Sequence, residues 1–200
     1  ARDEPAAAKA VLQDCLERCQ RSHQAAASTW QIADNLAEAW RDLGDLDRAA
    51  ATHREAMAGC SALLGPDHPL TLGCGYHLLK VLHLQGDLPA MRSLAEDLVA
   101  RSERTFGAEH RRTMDMCAAL ASAMLRMGEA PAARDRFARI YAVAVAQRGA
   151  CNPDTYIAGQ NLSVAQLTAG EAEASLQTIE RLVQDLPRAV DVSAPGAAFD

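Results

Sequence analysis

The feature that most constrains this chain is a period of 42 residues. The stretch Leu63–Leu79, LLGPDHPLTLGCGYHLL, returns as TFGAEHRRTMDMCAALA and again as QRGACNPDTYIAGQNLS. Thr71, Thr113 and Thr155 stand 42 apart, and so do Gly65, Gly107 and Gly149. A second marker keeps the same step: Gly44-Asp45, Gly86-Asp87, Gly128-Glu129 and Gly170-Glu171. Self-similarity at a fixed period of this size marks a repeat array. One unit cannot bury its apolar face alone, so the chain must stack neighbouring units rather than wrap a single core.

Composition decides what each unit is made of. The chain is 49% hydrophobic, mostly Ala and Leu, and only 4% aromatic. That mixture favours helices with close contacts and disfavours a β-sandwich. The periodicity predicts helix pairs over 28–64, 70–106, 112–148 and 154–186. Ser28 or Thr29 reads as the cap of the first helix. Gly65 follows the last apolar pair, where a left-handed glycine closes a helix. His68 and Asn152 read as cap residues, with Pro69 and Pro153 in the first helical position. Residues 5–22 form one amphipathic helix, and Ala7 lies 42 before Ala49. This helix is therefore the second half of a repeat whose first half is missing, which implies a domain cut from something longer. Residues 188–200 are polar and aperiodic and read as a flexible tail. Superposing the four copies predicts the core. Leu36, Leu78, Leu120 and Leu162 share one column, and Ala56, Leu98, Ile140 and Leu182 another.

Several function classes are disfavoured. The formal net charge is −6 and no Lys/Arg block occurs, so nucleic acid is not the expected partner. No apolar run of about 18 residues exists, so no membrane association is expected. The six cysteines sit in helical patterns at core-like positions, which fits reduced thiols in a cytoplasmic protein. The Ala/Arg richness hints at a bacterial source. Cys15, Cys19 and His23 are spaced i, i+4, i+8, a spacing that can present ligands to a metal. They also form the apolar stripe of their helix and lack a fourth ligand, so no metal and no cofactor is assigned. His68 and His110 belong to the repeated turn, and His53 falls at a core position. No phosphate-binding glycine loop, zinc-protease motif or cysteine-nucleophile signature is present. The chain is not expected to be an enzyme.

The residues LGPDHPLTL at 64–72, NLA at 35–37, NLS at 161–163 and GDLDRA at 44–49 carry a resemblance. They resemble the tetratricopeptide repeat, in the 42-residue variety typified by the kinesin light chain. The pattern departs at Arg111, where the family motif has Pro, and at His77 and Ala119, where it has Asn. The resemblance implies an all-α, right-handed superhelical solenoid of antiparallel helix pairs, about four and a half repeats, over residues 1–187. It implies a non-enzymatic protein-interaction scaffold that binds a peptide or partner segment in a concave groove lined by the first helix of each pair. The groove position before the common Leu is Asn35, His77, Ala119 and Asn161. An amide there can hold a peptide unit as both donor and acceptor. The expected contact residues are Asp34, Asn35, Glu38, Tyr76, His77, Lys80, His83, Ser122, Arg126, Gln160 and Asn161. Two alternatives stand beside this reading. One is a regulatory or sensor domain of a larger bacterial signalling or transcriptional protein. The other is an oligomerisation array, with a homodimer formed through an exposed terminal helix.

Overall fold

A computed structural model describes residues 27–185. The helix expected over 5–22, the Cys15, Cys19 and His23 stripe, and the tail 188–200 lie outside the described residues. Among those residues eight α-helices and no strand occur. They are α1 (Ala27–Asp42), α2 (Leu46–Leu64), α3 (Pro69–Gln85), α4 (Leu88–Phe106), α5 (Arg111–Arg126), α6 (Ala130–Arg148), α7 (Pro153–Thr168) and α8 (Ala172–Asp185). No described helix is long and apolar enough to cross a membrane. The chain divides into two compact units, one ending at Ala123 and the other beginning at Met124, so the boundary falls within α5.

In the first unit α1 packs on α2, α2 on α3, α3 on α4, and α1 also touches α3. In the second, α6 packs on α7 and α7 on α8. Both predicted columns are buried. Leu36, Leu78, Leu120 and Leu162 are each at most 5% exposed, and Ala56, Leu98, Ile140 and Leu182 at most 8%. A third relation emerges from the fold. Position 75 in α3 is Gly, and a Cβ there would meet Leu98 Cδ2 at 2.7 Å. Two repeats on, a Cβ at Gly159 would meet Leu182 Cδ2 at 2.6 Å. Where the second helix of the pair carries Leu, the first carries Gly. In the first pair both sites are alanine, Ala33 and Ala56, and both belong to one buried cluster.

The turns are built from the repeated markers. Asp45 accepts from Arg48 N at 3.1 Å and Asp87 from Ala90 N at 3.2 Å, each capping the helix that follows. His68 accepts from Leu70 N through Nδ1 at 3.2 Å, and Asn152 accepts from Asp154 N at 2.9 Å. The periodic threonines are fully buried. Thr71 donates to Gly65 O at 2.9 Å and Thr113 to Gly107 O at 2.8 Å, strapping each new helix to the turn before it.

Three expectations need correction. Gly65 is not in the left-handed helical region; its φ of 98° and ψ of 159° lie in an extended region open essentially to glycine alone. The left-handed conformation occurs instead at Gly86, φ 75° and ψ 14°. Ser28 and Thr29 lie inside α1, Thr29 buried. Cys151 is not a core residue but is exposed in a turn, its thiol 3.1 Å from Asp185 O.

Candidate functional site

The first unit presents a groove on the first helices of its pairs. One cavity, about 510 Å³, is lined by Gln31, Asp34 and Asn35 of α1, Pro69, Leu70, Gly73, Cys74, Tyr76 and His77 of α3, and Arg112, Asp115 and Met116 of α5. An adjoining one, about 440 Å³, is lined by Arg41, Tyr76, Leu79, Lys80, His83, Leu84, Met91, Asp115, Ala118, Ala119 and Ser122. Tyr76 and Asp115 belong to both. The helical period explains the lining. Gln31, Gly73 and Asp115 each lie four residues, one turn, before the column of Asn35, His77 and Ala119, so they extend the same face.

The structure thus brings Asp34, Asn35, Tyr76, His77, Lys80, His83 and Ser122 onto one groove. Asn35 is exposed and its amide is open to the cavity. Tyr76 is half-buried, and burial, with the nearby Asp115 charge, pushes its phenol up while Arg111 partly offsets this. Lys80 Nζ lies 5.3 Å from the centre of the Tyr76 ring, within cation–π range. Glu38 lines neither cavity; its Oε2 pairs with Arg41. Arg126, Gln160 and Asn161 belong to the second unit. There Gln160 and Arg126 are exposed and Asn161 is partly buried.

Asp34 is not a free groove carboxylate. It is only 9% exposed. His53 Nδ1 donates to its Oδ1 at 2.8 Å, and His77 Nδ1 donates to its Oδ2 at 2.7 Å. Burial alone would raise the Asp34 carboxyl. The hydrogen bonds from His53 and His77, and the positive charge those rings carry when protonated, outweigh burial and hold it well below the usual carboxylate range. The two imidazole rings lie 5.7 Å apart, centre to centre. Burial also pushes the Cys74 thiol up, and the Asp34 charge adds to the effect.

His53 shows what sequence reading missed. Its equivalents at the 42-residue step are Ala95, Phe137 and Ile179. A lone histidine in an otherwise apolar column signals a polar partner, and the partner is the acid found only in the same copy, Asp34.

Comparison with known proteins follows from this geometry. An all-α array of antiparallel helix pairs with period 42 is a helical-repeat protein. The tetratricopeptide-repeat family model matches residues 31–70. A candidate kinesin light chain of Podosopora anserina with nearly identical TPR-like repeats is similar in structure, with TM-score 0.82, 18% identity, and coverage of 92% of this chain and 87% of that one. BtubC (BKLC) from P. vanneervenii gives TM-score 0.77 and 16% identity over 93% of this chain and 76% of its own. MamA (AMB-1) gives 0.60 and 14% over 90% and 94%. No curated protein sequence matches the chain. The tetratricopeptide-repeat match is thus confined to one stretch of the chain, while the fold is that of the kinesin-light-chain-like repeat proteins.

Proposed function

We propose that the chain is a non-enzymatic interaction scaffold that holds an extended peptide segment in the groove of its first unit. The observation that carries this reading is the pair of adjoining cavities along α1, α3 and α5, with exposed Asn35 at one end. Packed helices lie about 8–10 Å apart, so three first helices span about 20 Å, or roughly six residues of extended chain at about 3.3 Å each. The lining suits such a ligand. Asn35 and Gln31 offer amides for main-chain bonding. Leu70 and the exposed Leu84 offer apolar surface for side chains. Arg112, Lys80 and Asp115 offer both signs of charge, so the peptide is expected to be amphipathic rather than uniformly acidic or basic.

The test is selection of binders from a displayed random-peptide library, followed by affinity measurement against a triple variant, Asn35→Ala/Tyr76→Ala/Arg112→Ala. Selected peptides should lose at least about tenfold in affinity, about 1.4 kcal/mol. Equal affinity for wild type and the triple variant overturns the groove assignment. Circular dichroism checks that the variant keeps its helices.

A further inference from the structure

We propose that Asp34, His53 and His77 bind one divalent transition-metal ion of the zinc, cobalt or nickel class. The three side chains converge from α1, α2 and α3, and their candidate ligand atoms all lie within 4.8 Å of one another. Two imidazoles and a carboxylate are the donor set these ions favour. Two Nδ1–H protons now hold the rings to the carboxylate at 2.8 and 2.7 Å. An ion replaces those protons. Metal–donor distances of about 2.0–2.2 Å require adjacent donors to open to roughly 3 Å, which is a small swing of each ring.

A second observation points to the same ion. His53 Nε2 and Glu38 Oε1 are buried and have no hydrogen-bond partner, although they face each other at 3.5 Å. In the neutral ring the proton that binds Asp34 sits on Nδ1. Nε2 is then a lone pair confronting a carboxylate oxygen, and two buried acceptors oppose each other. An ion on Nδ1 sends the ring proton to Nε2, which becomes a donor to Glu38. Metal, imidazole and carboxylate then stand in the order that metal-binding histidines habitually adopt. A ring carrying both protons also answers both carboxylates, and the test separates the two states.

The site is reachable. The His77 side chain is 32% exposed, and His77 and Asp34 both line the 510 Å³ cavity. The remaining coordination positions therefore open onto the groove, where water or a partner's side chain can fill them. The ligands come from separate helices, with sequence separations of 19 and 43 residues. No local spacing motif marks them. The inference does not depend on the peptide reading.

The experiment uses the full chain carrying Cys15→Ser, Cys19→Ser and His23→Ala, so that those residues contribute no signal. Cobalt(II) is titrated at neutral pH and followed by visible absorption and calorimetry, with zinc as competitor. One equivalent is expected to bind, with ligand-field bands and no thiolate charge-transfer band. His77→Ala, at a part-exposed helix position, should keep its helices by circular dichroism and lose at least about tenfold in affinity. Asp34→Asn should also keep its helices, though with lower stability, and lose affinity to a similar extent, and His83→Ala should not lose affinity. Nitrogen NMR of His53 should place its proton on Nδ1 without metal and on Nε2 with zinc. Absence of bands and heat in the folded protein overturns the proposal. So does cobalt affinity unchanged in His77→Ala, or a His53 ring that keeps both protons in the presence of zinc.

Discussion

Asp34 is the residue on which three helices meet, and its charge state sets how firmly they do so. Its carboxyl is held below the ordinary range in the folded chain. A depressed folded value means that the stabilisation is complete above the unfolded value, about 3.9. It is lost as pH falls through the folded value. The stability difference between wild type and Asp34→Asn should therefore be full at pH 6 and shrink steadily in acid, as read from urea melts across the pH series. A difference that grows in acid would contradict the hydrogen-bonded carboxylate. The thiols make a second case at this scale. Cys60, Cys74 and Cys117 are buried and Cys151 is exposed, and burial pushes the Cys60 and Cys74 thiols up. The thiolate is the reactive form. Among the cysteines of the described residues, alkylation at neutral pH with peptide mapping should label Cys151 first and Cys60, Cys74 and Cys117 only as the protein unfolds.

At the scale of the helix pair, steric compensation does what hydrogen bonding does at the turns. Gly75 is buried in α3 because Leu98 of α4 occupies the space a Cβ would need. Alanine in a helix interior is ordinarily better than glycine by about 1 kcal/mol. Here Leu98 is fully buried and cannot step aside, so overpacking of about 1–3 kcal/mol should win and Gly75→Ala should destabilise. In a Leu98→Ala background the same change should stabilise by about 1 kcal/mol, because the helix preference survives and the cavity is partly filled. The sign reversal in a double-mutant cycle of chemical denaturation is the measurement. The pairs, the caps His68 and Asn152 and the buried columns were legible in the sequence because a repeat shows each structural position four times over, whereas the first helix, which opens without the turn marker, had its cap misplaced at Ser28 or Thr29. Gly75 facing Leu98 could be seen only as two separate columns. Asp34 with His53 and His77 was less legible still. The triad occurs in one copy, so repetition, the source of the signal elsewhere, says nothing about it. The turn at Gly65 was placed correctly and given the wrong backbone conformation, since a glycine is compatible with either.

For the whole molecule, the 42-residue period together with the Ala/Leu-rich, aromatic-poor composition points to an all-α repeat protein, while the chemistry of the groove depends on side chains that the period leaves free. The second unit raises its own question. Leu176, Ile179 and Val183 on α8 are 56%, 44% and 59% exposed, at the i, i+3, i+7 spacing of one helix face. If copies of the chain associate as an oligomerisation array, this stripe is where they meet. Light scattering should then give a dimer mass for the wild type and a monomer mass for Ile179→Glu/Val183→Glu. A wild type that stays monomeric at high concentration removes that alternative.

The glycine–leucine fit bears on how such a chain can change over generations. Gly75 and Leu98 lie in the same helix pair, as do Gly159 and Leu182 and the alanines Ala33 and Ala56. A duplication or loss that cuts at the repeat boundary carries both halves of the fit, so inherited copies arrive already matched. Asp34, His53 and His77 are different, since the third sits in the next copy from the first two. Shuffling repeats would separate them. The core can therefore be rearranged one unit at a time, whereas this polar cluster depends on two particular units staying neighbours.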